Sequence, residues 1–356
     1  MGFTCTHSHE GGFVRGFGGI MQHLDRGRFE VLGLVSKSIV PFCRKQVASD
    51  DIAWIGFPHH LEQALKVFRE AECDVVMHWH AGTDIVNYYL PFMPLAPVQC
   101  IGFGTHGTTG IANIDYFVSS RLFERGPEAD DDYAESLVQF EGATAWQPRP
   151  ITPEPASRSD FTLPERGTLY FCPQRQAKFH PDFDRLLLRI LKADSDGHVV
   201  ILAGDRTRPA EMLKARFAVT LGPTLSKRIL FVSAQPPEGY YRLLSLMDVV
   251  LDAPAYSASL TGYDAFSLGV PLVTLPGRQM VQRYALGLYT RMVVEGLVAS
   301  DESQYVNLAV NLAWEAEFRR EMSGRILQCC DVLYEDVAVV REYESFFESA
   351  VAQTLS

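Results

Sequence analysis

The sequence predicts an α/β protein built from two Rossmann-like, doubly wound domains. Apolar runs of strand length alternate with helical patterns along the chain, which is typical of parallel sheets covered by helices on both faces. The alternation stops once, in a proline-rich stretch near the middle, and then resumes. At 356 residues the chain is also longer than one ordinary core requires, and it fits two domains of common size.

The first half contains strand-like runs separated by helical patterns, and we assign it to an N-terminal domain over residues 1–147. Strands are predicted at Met1–Thr6, Phe29–Val35, Cys73–Trp79, Val98–Phe103 and Tyr116–Ser119. Helices are predicted at Phe13–Leu24, His60–Glu70 and Thr83–Leu90. This order of elements predicts parallel strand pairing, because each of the first three strands is followed by a helix that can cross back over the sheet.

A linker is predicted at residues 148–166, where prolines cluster with serines and charged residues. The second domain is assigned to residues 167–335. Its strands are predicted at Thr168–Cys172, Val199–Ala203, Ile229–Val232, Val249–Asp252 and Leu272–Leu275. The second half therefore repeats the architecture of the first.

Two helical patterns close the chain, at Tyr305–Ala316 and Val337–Val351. We expect the last helix, within residues 336–356, to pack back on the first domain. Two doubly wound domains joined by a linker are also expected to face a cleft at the carboxyl ends of both sheets, where ligands of open α/β sheets bind.

The composition is that of a soluble globular protein, with 47% apolar and 21% charged residues. The net charge of −11 disfavours nucleic acid as a partner. No apolar run reaches membrane-spanning length and the first residues lack the pattern of a signal peptide, so we expect a cytoplasmic protein without a membrane partner. Seven cysteines without paired spacing favour reduced thiols over disulfides or a cysteine metal site.

The stretch from Leu251 to Gly277 carries the most information about function. It has the pattern of a strand, a small polar loop, a helix and a second buried strand. Such a loop presents unpaired backbone N–H groups at the positive end of the helix dipole, where a phosphate binds without a metal. Asp264, one turn into the helix, is placed to bind a ribose hydroxyl. The pattern predicts a site for a nucleotide diphosphate.

Three stretches resemble the O-linked N-acetylglucosamine transferase family, which also holds the bacterial cytoplasmic N-glycosyltransferases. The loop and helix just described are similar to its nucleotide-sugar loop. The motifs LAPVQ (95–99), GTHGTTG (104–110) and IDYF (114–117) resemble its N-terminal domain signature, and PQRQAKFHP (173–181) resembles the segment with its essential lysine. The resemblance implies a GT-B fold and an inverting transfer from a UDP-sugar that needs neither a metal nor a cofactor.

The resemblance also assigns roles in the second domain. It implies that the Lys178 ammonium lies against the β-phosphate and neutralises charge as UDP departs. It implies that Thr261 bonds the β-phosphate and that Asp264 bonds the ribose. The residues alone favour an exposed loop lysine at position 178, since most lysines are solvated, and the resemblance reverses that preference.

Four further positions complete the implied nucleotide site. Ser259 and Leu260 stand where animal-type members of the family carry His and Thr, and a serine at a helix start is also an ordinary N-cap. The segment with Gln235 matches the one that binds uracil, and Tyr240 would be the ring that stacks on the base. From the residues alone, Tyr240 equally fits the edge of a core.

In the first domain, the resemblance places residues 105–109 beside the sugar and diphosphate. Thr105, Gly107 and Thr108 are the implied donor contacts, and His106 is a candidate catalytic residue that contacts the sugar. A lone histidine is also compatible with a surface or structural role.

Two pairs of histidines lie near the ends of predicted strands. His7 and His9 follow the first strand, and His78 and His80 lie on and just past the strand that ends at Trp79. A metal site there lacks further ligands at recognisable spacing, so no metal is expected. His80 or Asp84 would be placed to help position an acceptor, but the sequence identifies no general base.

These observations lead to the hypothesis of an inverting, metal-independent glycosyltransferase that moves a hexose or N-acetylhexosamine from a UDP-sugar to a protein or peptide side chain. The family's protein-modifying members generally carry an N-terminal repeat module, whereas this sequence begins on the first predicted strand. A small-molecule or glycan acceptor therefore stays open. A UDP-sugar epimerase or hydrolase on the same two-domain architecture also stays open, and the departures from the family at Ser259, Leu260 and Tyr240 leave room for a non-catalytic nucleotide-sugar-binding subunit. The glycines near residues 16–19 do not match a dinucleotide fingerprint, which disfavours nicotinamide chemistry.

Overall fold

Two parallel sheets, each in its own unit, organise the chain in a computed structural model that describes residues 1–204 and 207–354. The first unit comprises Met1–Pro148 together with the chain from Tyr334 onward, and the second comprises Arg149–Leu333. In both units, α-helices separate most pairs of successive strands. The predicted fold class of two Rossmann-like α/β domains is confirmed.

The sheet of the first unit has seven parallel strands in the order β3-β2-β1-β4-β5-β6-β7. They are β1 (Gly2–Cys5), β2 (Val31–Ser36), β3 (Ile52–Phe57), β4 (Val75–His78), β5 (Val98–Ile101), β6 (Tyr116–Ser120) and β7 (Ser136–Phe140). Strands β3 and β7 were not predicted from the sequence. Both are edge strands that are only partly buried, so polar and small residues interrupt the apolar runs that identify the central strands.

The helices of the first 148 residues are α1 (Glu10–His23), α2 (Val40–Val47), α3 (Leu61–Ala71) and α4 (Ile85–Tyr89). Helix α1 begins three residues before the predicted Phe13, and it includes a glycine-rich run that resembles a loop. A Cβ at Gly16 would collide with the Trp79 ring, and one at Gly19 would overlap the ring of Trp146. The glycines therefore let two indole rings pack against the helix, and this packing offsets their low helix propensity.

The second unit has five parallel strands in the order β10-β9-β8-β11-β12. They are β8 (Leu169–Cys172), β9 (His198–Leu202), β10 (Ile229–Val232), β11 (Val249–Leu251) and β12 (Leu272–Val273). The helices are α5 (Phe183–Ala193), α6 (Thr207–Thr220), α7 (Gly222–Leu225), α8 (Pro237–Leu244), α9 (Leu260–Ser267), α10 (Tyr284–Met292), α11 (Glu302–Trp314) and α12 (Ala316–Cys329). All five strands overlap those expected, since buried parallel strands form unbroken apolar runs.

The last helix, α13 (Val337–Thr354), is part of the first unit. The Phe347 ring contacts the rings of Phe3 and Phe29, with centroids 6.3 and 6.4 Å apart. The hydroxyl of Tyr343 donates to the carbonyl of Thr144 at 2.9 Å. Residues 355 and 356, which the predicted C-terminal segment included, lie outside the described residues.

Two further observations concern the cysteines and the apolar character of the helices. All seven cysteines are free thiols, and all but the half-buried Cys329 are buried. In residues 1–204 and 207–354, no helix combines the length and the apolar character needed to cross a membrane.

Candidate functional site

Each sheet has one point where the strand order reverses, and ligands of open α/β sheets bind outside the carboxyl ends of the strands at that point. In the second unit the reversal lies between β8 and β11, so the loops after these strands meet there. The first loop carries Lys178, and the second leads into α9. In the first unit the reversal lies between β1 and β4, where the loops contain His9 and His80.

Asp252, directly after β11, joins three loops of the second unit. Its carboxylate is buried and accepts bonds from Ser257 Oγ (2.7 Å), Thr274 Oγ1 (2.7 Å), the Ala258 N–H (2.6 Å) and Gln174 Nε2 (3.0 Å). Burial raises the pKa of this carboxyl to about 6, and the four donors oppose the shift. Sequence reasoning missed this residue, although an acid directly after a buried strand and before small polar residues was the available signal.

Lys178, in the loop after β8, is half-buried, and its ammonium lies against an aromatic ring instead of a carboxylate. Its Nζ lies 3.6 Å from the centroid of the Tyr256 ring. Within the described residues, the ammonium has no carboxylate within ion-pair distance and no hydrogen-bond acceptor. Burial lowers the pKa of Lys178 to about 8, with a smaller contribution from Arg175, while Asp252 acts in the opposite direction. The site thus holds a partly desolvated cation without an anion to pair with it.

The start of α9 adds backbone donors to the same loop. The Gly262 N–H bonds the Ser259 carbonyl at 2.9 Å, but the Leu260 and Thr261 N–H groups have no acceptor in the part of the chain that the structure describes. Ser259 occupies the N-cap position, and its side chain makes no capping bond. The helix start therefore leaves two N–H groups and a serine hydroxyl available to a ligand.

The predicted base residue Tyr240, on α8, and the predicted ribose residue Asp264, on α9, share one neighbour, Tyr241. The Tyr241 hydroxyl donates to Asp264 Oδ1 at 2.7 Å, and this carboxylate is buried. The Tyr240 ring packs against Phe171, with centroids 6.3 Å apart, and against Tyr241 at 5.4 Å. Tyr240 thus lies at the edge of the core, and a ribose bonded to Asp264 would share the carboxylate with Tyr241.

Gln235 lies in the loop between β10 and α8. Its side-chain amide donates to the carbonyl of Ser233 at 3.0 Å, and the residue is partly exposed. The loop is short, and α8 begins two residues later at Pro237. Gln235 and Tyr240 are therefore both attached to the same end of α8.

In the first unit, a buried acid organises the loop after β5. Glu135 accepts bonds from Thr108 Oγ1 (2.7 Å), from the Thr109 N–H (2.7 Å) and from the Thr109 hydroxyl. The Thr108 hydroxyl is thus engaged inside the protein. The Thr105 hydroxyl is different, because its oxygen is buried and has no hydrogen-bond partner in residues 1–204 and 207–354. Of the predicted threonines, Thr105 has the side chain available for a further contact.

Two neighbouring residues of this loop, His106 and Gly107, are only partly buried. A Cβ placed at Gly107 would meet no atom within 4 Å, so its backbone faces free space. His106 is half-buried and close enough to His80 to disfavour its protonation.

Two histidine rings lie against each other where β1 and β4 end. The ring centroids of His9 and His80 are 3.8 Å apart, and the Asn87 amide lies 2.8 Å from His80 Nε2. Burial lowers the pKa of His80 to about 3, and the nearby His9, His78 and His106 lower it further. His80 is therefore a neutral ring at physiological pH.

Asp84 caps the N-terminus of the adjacent helix α4. Its side chain accepts the N–H groups of Val86 and Asn87 as the N-cap of α4, and it also contacts the Thr6 hydroxyl. No group of three or more His, Cys, Asp or Glu side chains in the described ranges is arranged to hold a metal ion.

The structure therefore forms two groups from the predicted residues. In the second unit, Lys178 lies with the loop that leads to Ser259, Leu260 and Thr261, while Tyr240 and Asp264 share the neighbour Tyr241. In the first unit, His106 and the loop of Thr105, Gly107 and Thr108 lie near His80.

Comparisons with known proteins identify the family to which the chain belongs. The chain is 28% identical over 268 residues to a Hordeum vulgare protein named "Probable UDP-N-acetylglucosamine–peptide N-acetylglucosaminyltransferase SPINDLY", covering 71% of the chain and 27% of that protein. It is 26% identical over 338 residues to the Arabidopsis thaliana protein of the same enzyme name called SEC, covering 88% and 34%. The chain thus spans about a quarter to a third of the length of these curated relatives.

The fold is also found among solved structures. A mutant of the Thermobaculum terrenum O-GlcNAc transferase superposes with a TM-score of 0.81 at 20% identity, over 99% of this chain and 67% of that one. The sequence profile described as glycosyl transferase family 41 matches residues 141–332, which is more than half of the chain and includes Lys178, Asp252 and α9. The chain therefore belongs to glycosyl transferase family 41, the family of the O-linked N-acetylglucosamine transferases.

Proposed function

We propose that the chain is an inverting glycosyltransferase that moves a hexose or N-acetylhexosamine from a UDP-sugar to a protein or peptide side chain, without a metal or cofactor, in the cytoplasm. Family membership supports the reaction class. The names of the two plant relatives, which specify UDP-N-acetylglucosamine and a peptide, support the donor and the acceptor.

One observation carries the proposal, namely the half-buried Lys178 beside the loop that leads into α9. A cation without an acidic partner has unused electrostatic attraction, and burial strengthens it by lowering the local dielectric constant. The N–H groups of Leu260 and Thr261 add the positive end of a helix. Together these groups suit the pyrophosphate of a nucleotide.

The proposed role of Lys178 follows from where negative charge develops during the transfer. As the bond between the sugar and the β-phosphate breaks, negative charge accumulates on UDP, and Lys178 with the α9 N–H groups would stabilise it. With a pKa of about 8, most of the amine is already protonated at neutral pH, and a bound diphosphate would raise this pKa further. Lys178 would thus supply the charge that a metal ion provides in other transferases.

Replacing Lys178 tests this role. We expect Lys178→Ala to lower transfer by roughly 10²–10³-fold, because one preorganised charge partner of the leaving group is lost. Purified wild-type and variant proteins would be compared by UDP release in the presence of candidate acceptor peptides, with circular dichroism to verify folding. Lys192→Ala, which removes an exposed lysine of α5, is the matched control and should keep full activity.

The same assay separates the alternatives. Acceptor-dependent UDP release with a glycosylated peptide supports the proposal, whereas release that needs only a small molecule or glycan overturns the acceptor class. Conversion of UDP-sugar without an acceptor would indicate an epimerase or hydrolase, and binding without turnover a non-catalytic subunit. Loss of activity in EDTA would contradict metal independence, and retention of the donor's α-configuration in the product would contradict inversion.

A further inference from the structure

The Lys178 ammonium lies over the ring of Tyr256, and the loop that carries this tyrosine is held in place. The distance from Nζ to the ring centroid is 3.6 Å, which is within the range of a cation–π interaction. The next two residues, Ser257 and Ala258, are both bonded to the buried Asp252. The backbone next to Tyr256 is thus held at the end of β11 by these two hydrogen bonds.

We infer that Tyr256 is a positioning residue for Lys178, whose ring holds the ammonium at the point of strand reversal until the diphosphate of the donor binds it. The inference rests on the proposed function, because it assigns Lys178 to the donor diphosphate. It adds a residue that the resemblance and the comparisons do not assign.

An aromatic ring suits this task better than a carboxylate would. A lysine side chain has four rotatable methylene groups and loses much rotamer freedom when it is fixed, so an empty site needs something to hold it. A carboxylate would hold the ammonium but would also neutralise it and compete with the diphosphate. A neutral ring attracts the cation and leaves its charge available.

The charges around the amine are consistent with this arrangement. Arg175, in the same loop, repels the ammonium, and Asp252, at the end of β11, attracts it. Burial raises the pKa of the Tyr256 phenol, so this ring stays uncharged over the working pH range of an enzyme. The ring also covers the amine, and burial is the main cause of the lowered pKa of Lys178.

The test measures donor kcat/KM between pH 7 and 10 for the wild type, Tyr256→Phe and Tyr256→Leu. The wild type should lose activity above about pH 8, where Lys178 loses its proton. Tyr256→Phe keeps the ring and should keep this alkaline limb. Tyr256→Leu should lower kcat/KM at pH 7 by about 10-fold through mispositioning, and it should move the limb to higher pH because water reaches the amine.

Controls separate the ring from general damage. Trp314→Leu removes an exposed aromatic side chain at the end of α11 and should leave the profile unchanged. Tyr256→Met is measured alongside Tyr256→Leu, so that a folding defect in one variant, seen by circular dichroism, leaves the other. The inference would be overturned if Tyr256→Leu and Tyr256→Met kept both the wild-type kcat/KM at pH 7 and the wild-type decline at alkaline pH. It would also be overturned if Tyr256→Phe behaved like Tyr256→Leu.

The result also distinguishes this inference from the function on which it rests. If Lys178→Ala transfers sugar at the wild-type rate, or if the wild type binds no UDP, the proposed function fails. If Lys178→Ala is inactive while Tyr256→Leu matches the wild type in rate and pH profile, only the role of Tyr256 fails.

Discussion

At the scale of single residues, the buried carboxylate of Asp252 holds three loops of the second unit together. Asp252 accepts four hydrogen bonds and connects the loops that follow β8, β11 and β12. A buried carboxylate is tolerated only when such donors compensate its desolvation. The position of Tyr256, and through it that of Lys178, therefore depends on Asp252.

Replacing Asp252 by asparagine should destabilise the protein by about 1–3 kcal/mol, because one acceptor oxygen becomes an NH₂ group that faces donors and leaves them unsatisfied. Denaturant unfolding would measure the loss in free energy. Asp196→Asn, at an exposed aspartate of the same unit, is the matched control and should stay within ±0.5 kcal/mol. Equal stabilities of the two variants would contradict the role given to Asp252.

At the scale of secondary structure, α1 shows how tertiary packing overrides local propensity. Five glycines lower its helix propensity, yet a helix forms where Phe13–Leu24 was predicted, and it runs from Glu10 to His23. The indole rings of Trp79 and Trp146 occupy the space that side chains at Gly16 and Gly19 would need. Neither tryptophan is near α1 in the sequence, so no local pattern reveals this contact.

Gly19→Ala should therefore destabilise the first unit by roughly 1–3 kcal/mol, although alanine is the better helix former, because its methyl group would overlap Trp146. Gly11→Ala is the matched control on the same helix. No atom lies within 4 Å of a Cβ there, so the substitution should be neutral or stabilising by up to about 1 kcal/mol. Thermal unfolding of both variants tests the difference, and a stabilised Gly19→Ala would refute the packing argument.

At the scale of the whole molecule, the first unit is built from both ends of the chain. Residues 1–148 supply the sheet, and α13 returns after the entire second unit to cover part of its core. Phe347 on α13 is buried against Phe3 on β1. Folding of the first unit thus requires contacts between residues that are more than 300 positions apart in the sequence.

Phe347→Ala should lower the stability of the first unit by about 3–5 kcal/mol, since it leaves a cavity under the sheet. Ser345→Ala, at an exposed site on the same helix, should have little effect. Hydrogen exchange would locate the loss, which we expect in β1 and α13 before β8 and β11. Equal protection of β1 in both variants would show that α13 does not stabilise the sheet.

The two α/β sheets, their central strands and the family could all be predicted from the sequence. Buried parallel strands are continuous apolar runs, and the loops that bind phosphate have recognisable local patterns, so both are properties of short segments. Which polar side chains are already hydrogen-bonded inside the protein could be seen only in the three-dimensional structure. It paired Thr108 with Glu135, joined four donors to Asp252 and placed Tyr256 on Lys178, because strand order brings together loops that are distant in the sequence.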